Sequence, residues 1–126
     1  MQTALDETIA ILGLSHLQDR YAYRAATMLQ SHNFHKIVGV HPSGLPVLGI
    51  PVHKQLDEIE TPIHTLTMYI SAEKSRPLIP SILRINPTRI IFNPGSESTE
   101  LEAAAADQGI QTQRACTLVL LSTSQF

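Results

Sequence analysis

The residues Thr8-Ile9-Ala10-Ile11-Leu12-Gly13-Leu14 form a short, nearly unbroken apolar run that contains one glycine near its end. A half-buried strand alternates apolar and polar positions, so a continuous run of this length points to a strand covered on both faces. Such strands belong to parallel sheets flanked by helices, and this run constrains the fold more than any other segment. After it, Tyr21, Ala25, Met28 and Leu29 recur at helical spacing up to Ser31, and His32-Asn33 supplies a helix end at which Asn suits a left-handed backbone. Lys36 to Val40 reads as a second strand. It stops at His41-Pro42, because proline restricts the residue before it and has no N–H to give to a ladder.

The alternation continues along the chain. Ser43 to Pro51 mixes glycine and proline with apolar residues and reads as an ordered loop lying against the domain, and Val52 to Ile59 is expected to form a short helix. Ile63 to Ile70 alternates and is rich in β-branched residues, which gives a third strand; Ser71 can cap a helix over about Ala72 to Ile85, with Pro77 in its first turns and Pro80 awkwardly placed. Arg89 to Phe92 is a fourth strand, Asn93-Pro94-Gly95 turns the chain, and Thr99 with Glu102 matches a capping box for an alanine-rich helix ending at Gly109. Ile110 to Arg114 is a fifth strand, while Thr117 to Leu121 is too short for periodicity to separate strand from helix. The order predicts βαβ units with right-handed crossovers. The expected product is one Rossmann-like, doubly wound α/β domain over residues 1–126, with a mainly parallel sheet of five to six strands and helices on both faces.

Composition bounds the partners. Nine basic against eleven acidic residues give a formal charge of −2, so no global positive field exists to attract nucleic acid or an anionic membrane, and any anion must be held locally. The single cysteine, Cys116, cannot form an internal disulfide, which fits a reducing compartment. The first residues lack the basic start and long apolar stretch of a signal peptide, and no later run reaches the length of a membrane span, so a cytoplasmic protein is expected. The six histidines include no pair at metal-binding spacing on a helix with a carboxylate beside it, so no metal site is expected. The apolar C-terminal run leaves room for a homodimer.

In open α/β sheets, ligands collect beyond the carboxyl ends of the strands, where the strand order reverses. The candidate segments are therefore Gly13 to Arg24, His41 to Gly44, Ser71 to Arg76 and Asn93 to Ser96. The first brings Gly13, Leu14 and Ser15 to a helix start beside Arg20 and Arg24, a combination suited to phosphate. A dinucleotide fingerprint would need further glycines and an acidic residue ending the second strand; Ser15, Gln18 and His41 occupy those places, which disfavours NAD. A serine-hydrolase elbow is also missing its second glycine, since Leu17 stands there. Cys116 suits a buried small hydrophobe better than a nucleophile.

Taken in order, Gly13-x-Ser15, Asp19-Arg20-Tyr21, Val40-x-Pro42, Leu48-Gly49-x-Pro51-Val52, Asn93-Pro94-Gly95, Gly109-Ile110 and Arg114-x-Cys116 resemble the small bacterial CoA-binding domain family. That family is similar to the N-terminal domain of the succinyl-CoA synthetase α subunit. The resemblance implies coenzyme A or an acyl-CoA as the small-molecule nucleotide ligand, with the CoA phosphates held by the Gly13 to Arg20 loop. It further implies that Pro42 and its flanks border the adenosine, that Lys74 and Arg76 take the place of an arginine after the third strand, and that Gly95 allows close backbone approach. Family members usually carry Asn-Pro-Lys after the second strand, where this chain has His41-Pro42-Ser43. No catalytic centre is evident; the alternatives are a thiol-linked or acyl-CoA enzyme using Cys116, or an interaction protein that has lost its ligand.

Overall fold

In the computed structural model, which describes residues 2–126, six strands form one sheet: β1 (Ile9–Leu12), β2 (Ile37–Val40), β3 (Val52–His53), β4 (Thr65–Met68), β5 (Arg89–Phe92) and β6 (Gln111–Arg114). Their spatial order is β3-β2-β1-β4-β5-β6, and every pairing is parallel. The helices are α1 (Tyr21–Ser31), α2 (Ala72–Ser75), α3 (Ile79–Ile85), α4 (Thr99–Asp107) and α5 (Thr117–Ser122).

The unbroken apolar run of β1 is explained by what lies on either side of it. Ala10 and Leu12 point into one core layer with Ile82 of α3 and Leu101 and Ala105 of α4. Ile9 and Ile11 point into the other, with Ala22, Ala26 and Leu29 of α1 and Leu120 and Leu121 of α5. Successive side chains of a strand face opposite ways, so a central strand between two helical layers must be apolar throughout. Gly39 serves the second layer. A Cβ there would lie 2.7 Å from Leu14 Cδ2, so the glycine lets Leu14 settle on β2.

Several local expectations are corrected. Val52 does not open a helix: Val52–His53 is an edge strand, flanked by bonds from Gly39 N–H to Pro51 O (2.9 Å) and from His41 N–H to His53 O (2.9 Å), and a 3-10 turn follows only at Leu56–Glu58. The open edge of β2 overrides the local pattern. The expected helix from Ala72 to Ile85 is broken by a 3-10 turn at Arg76–Leu78. A proline is tolerated only in the first turn of a helix, and Pro80 restarts the chain there as α3. The N-cap of α4 is Ser98 rather than Thr99, with its Oγ accepting from Leu101 N–H at 3.1 Å. The run from Thr117 is helical. Asn33 takes the left-handed backbone, with φ of 71°.

At the amino-terminal edge of the sheet, both ends of the chain meet. Thr3 N–H donates to Phe126 O (2.9 Å), and the buried Arg89 donates through Nη2 to Thr3 Oγ1 (2.5 Å) and Phe126 O (2.8 Å). Its guanidinium also lies over the Phe126 ring, 5.0 Å from the centroid. Nearby, His64 bridges Thr65 Oγ1 (2.8 Å) and Glu7 Oε2 (2.9 Å). No helix among the described residues is long and apolar enough to cross a membrane.

Candidate functional site

The strand order reverses between β1 and β4, since the chain leaves β1 toward β2 through α1 and leaves β4 toward β5 through α2 and α3. At the carboxyl ends of these strands lies a cavity of about 1070 Å³, large enough for a nucleotide. It draws walls from all four predicted segments: Gly13, Ser15 and Arg20; His41 and Pro42; Lys74; and Pro94 and Gly95 all line it.

Gly13 directly follows β1 with φ of 99°, and its N–H donates to Val40 O (2.8 Å). A Cβ at this position would meet Ile70 Cγ2 at 3.0 Å and Tyr69 O at 3.2 Å, so glycine is needed for both conformation and space. The chain then folds back through Ser15, whose Oγ accepts from Leu17 N–H (3.1 Å) while keeping its own proton to donate. Arg20 is the N-cap of α1 in extended conformation and makes no side-chain cap bond. The first amides of α1 are therefore not capped by that side chain, and Tyr21 and Ala22 place them at the cavity wall.

The turn after β2 is held by its own side chains. His41 Nδ1 accepts from Ser43 N–H and lies 3.0 Å from Ser43 Oγ. Accepting at Nδ1 puts the proton of the neutral ring on Nε2. Burial, with a smaller contribution from His16, holds the His41 pKa below its ordinary value, so the imidazole serves as a neutral donor at pH 7. On the other side, Ser71 caps α2 by accepting from Lys74 N–H (3.3 Å).

Three predicted residues stand outside the cavity lining. Leu14 is fully buried in the core over Gly39. Arg24 lies one turn into α1, exposed, with its guanidinium 5.2 Å from the Tyr21 ring centroid. Arg76 is bound to Glu100 at 3.2 Å. By contrast, Arg20, Lys54 and Lys74 line the cavity, and none has a carboxylate partner among the described residues. The Gly95 turn is more committed than its sequence suggests, because Glu97 Oε1 accepts the Gly95 N–H at 2.9 Å.

The sequence places Asn93 in a candidate turn but does not show the polar floor that it builds under the cavity. Asn93 is buried; its Nδ2 donates to Thr67 Oγ1 (2.7 Å) and Met68 O (2.9 Å), and its Oδ1 accepts from Thr117 N–H (2.8 Å). Thr67 and Thr117 share a further bond of 2.8 Å. The buried hydroxyl of Tyr69 makes no hydrogen bond of ordinary geometry to the described residues, although the Thr117 and Thr67 hydroxyls lie near enough to oppose part of the shift in its pKa. Desolvation pushes its pKa up to about 12, so it stays protonated. An unsatisfied buried hydroxyl costs about 1–3 kcal/mol. Tyr69→Phe is therefore expected to raise the unfolding free energy by about 1 kcal/mol in urea titration. A fall in stability would mean that the hydroxyl holds a bond to Thr117 or Thr67. Cys116, the N-cap of α5, lines the cavity next to these groups and is partly exposed.

A family model described as a CoA binding domain matches residues 7–122, nearly the whole chain. The chain belongs to this family. Solved structures agree with the CoA binding domain assignment in fold. One uncharacterized protein is 37% identical with a TM-score of 0.88, and the match covers 96% of this chain and 98% of that one. A Thermus thermophilus structure is 21% identical at a TM-score of 0.86, over 96% and 91% of the two chains. The dinucleotide-forming acetyl-coenzyme A synthetase 1 of Ca. Korarchaeum cryptofilum, solved with phosphate and ADP, is 14% identical at a TM-score of 0.72; the match covers 84% of this chain and 25% of that one. No curated protein sequence matches the chain.

Proposed function

We propose that this CoA binding domain holds coenzyme A or an acyl-CoA in the crevice between the ends of β1 and β4, as a binding module without turnover of its own. The observation that carries this reading is the grouping of cations: Arg20, Lys54 and Lys74 border one cavity without carboxylate partners, although the chain as a whole is acidic. Cations left unpaired around an apolar-walled cavity suit a ligand that brings several phosphates and an apolar arm.

The pyrophosphate sits at the start of α1, where the N-terminal amides and Ser15 donate and Arg20 adds a full charge. The apolar wall formed by Leu12, Ile70 and Leu78 receives the pantetheine arm, and its thiol end runs toward Tyr69 and Cys116. Calorimetric titration with CoA, acetyl-CoA, NAD and ATP tests the reading. CoA and acetyl-CoA are expected to bind and to raise the melting temperature by mass action. Arg20→Gln is expected to weaken both about tenfold, the scale of one charge-assisted phosphate contact. Absence of heat from all four ligands overturns the proposal.

A further inference from the structure

In sheets of this strand order, the end of the second strand flanks the ribose of a bound nucleotide. A carboxylate there reads a free ribose diol, whereas a cation there accommodates a phosphate on the sugar. In this chain the turn after β2, His41-Pro42-Ser43-Gly44, carries neither a carboxylate nor a lysine or arginine. The cation comes from the neighbouring strand instead. Lys54 directly follows β3, and its stem lies across Gly44: a Cβ on Gly44 would fall 2.9 Å from Lys54 Cγ and 3.1 Å from Cε. Gly44 has φ of 62°, so the turn both requires glycine and leaves its surface open for the lysine to lie on.

The carboxylates nearby are otherwise engaged. Asp57 is bound to Arg84, and Glu58 Oε1 accepts the backbone N–H of Lys54 at 3.0 Å. The ammonium of Lys54 has no carboxylate partner among the described residues, and Lys54 lines the cavity together with His41. We infer that Lys54, laid over Gly44 at the end of β2, is the specificity-determining residue for a nucleotide whose ribose carries a phosphate ester. His41 supplies a second, neutral donor beside it through Nε2. The inference rests on the proposed CoA reading and adds which part of the ligand is discriminated and by what.

The test is calorimetric titration of the full chain with CoA and with 3′-dephospho-CoA, which differ only in the ribose phosphate. The wild-type protein is expected to prefer CoA by about tenfold or more, as one charge-assisted phosphate contact supplies. Lys54→Met is expected to weaken CoA about tenfold while leaving 3′-dephospho-CoA within about twofold, and Lys54→Arg to restore the preference. Gly44→Ala, which displaces the lysine stem without removing its charge, is expected to reduce the preference as well. Equal wild-type affinity for the two ligands, a preference that survives Lys54→Met, or an equal loss for both ligands in that variant each overturns the role of Lys54 while leaving CoA binding intact. Binding of neither ligand by the wild type overturns the proposed function and this inference together. Lys54 is exposed, so the melting temperature of Lys54→Met without ligand is expected to match wild type.

Discussion

Asn93→Ala is expected to destabilise the protein by about 3 kcal/mol and to weaken any ligand in the cavity at the same time. The amide joins three elements: β4 through Thr67 Oγ1 and Met68 O, α5 through Thr117 N–H, and β5 by its own backbone position. All three bonds are buried beneath the cavity floor, so truncation takes a buried partner from each of them. Thr67 and Thr117 can still bond each other, but Met68 O and Thr117 N–H lose this partner, at about 1–3 kcal/mol for each buried group left unmade. Urea unfolding should show a lower midpoint at unchanged slope. A loss below about 1 kcal/mol would mean that water enters and replaces the amide. Ligand affinity should fall with stability, because Pro94, Gly95 and Cys116 reach the cavity from segments that this amide ties together.

The same residue shows where sequence reading succeeds and where it stops. The strands were legible where burial on both faces imposed an apolar run, as in Ile9–Leu12 and in Ile90, Ile91 and Phe92 of β5. Since strand ends fix where ligands collect, the four loops around the cavity were legible with them. Val52–His53 was not, because two residues carry no period and their strand character comes from bonds flanking them on β2. Asn93 reads in sequence as a turn residue before Pro94, and nothing local shows that its amide faces inward to β4 and α5. Arg20, Arg24 and Arg76 look alike in sequence and differ by geometry: Arg20 sits at the helix start facing the cavity, Arg24 is one turn further over Tyr21, and Arg76 meets Glu100. Lys54 is illegible in the sequence for the same reason. Its place over Gly44 depends on β3 lying beside β2, which local pattern does not encode.

Arg89→Ala should have an effect of similar size at the opposite edge of the sheet, and its comparison with Arg89→Met separates two causes. Arg89 opens β5 within an otherwise apolar strand and is 3% exposed. Burial lowers its pKa from the ordinary arginine value, while Glu7 acts in the other direction, so the charge is held there at a desolvation cost. Against that cost stand its bonds to Thr3 Oγ1 and Phe126 O and the stacking on Phe126. Alanine removes those bonds and leaves a void, for an expected loss of about 3 kcal/mol. Methionine fills most of the space and relieves the desolvation, so its loss should be nearer 1 kcal/mol if packing dominates. Equal losses for the two variants would assign the effect to the hydrogen bonds instead. In either case amide exchange should quicken first at Thr3 and at Phe126, whose N–H is bound to Leu120 O, because Arg89 is where the two ends of the chain are fastened to the sheet. The cavity lies at the other end of the strands, so ligand affinity per folded molecule should stay at the wild-type value in both variants.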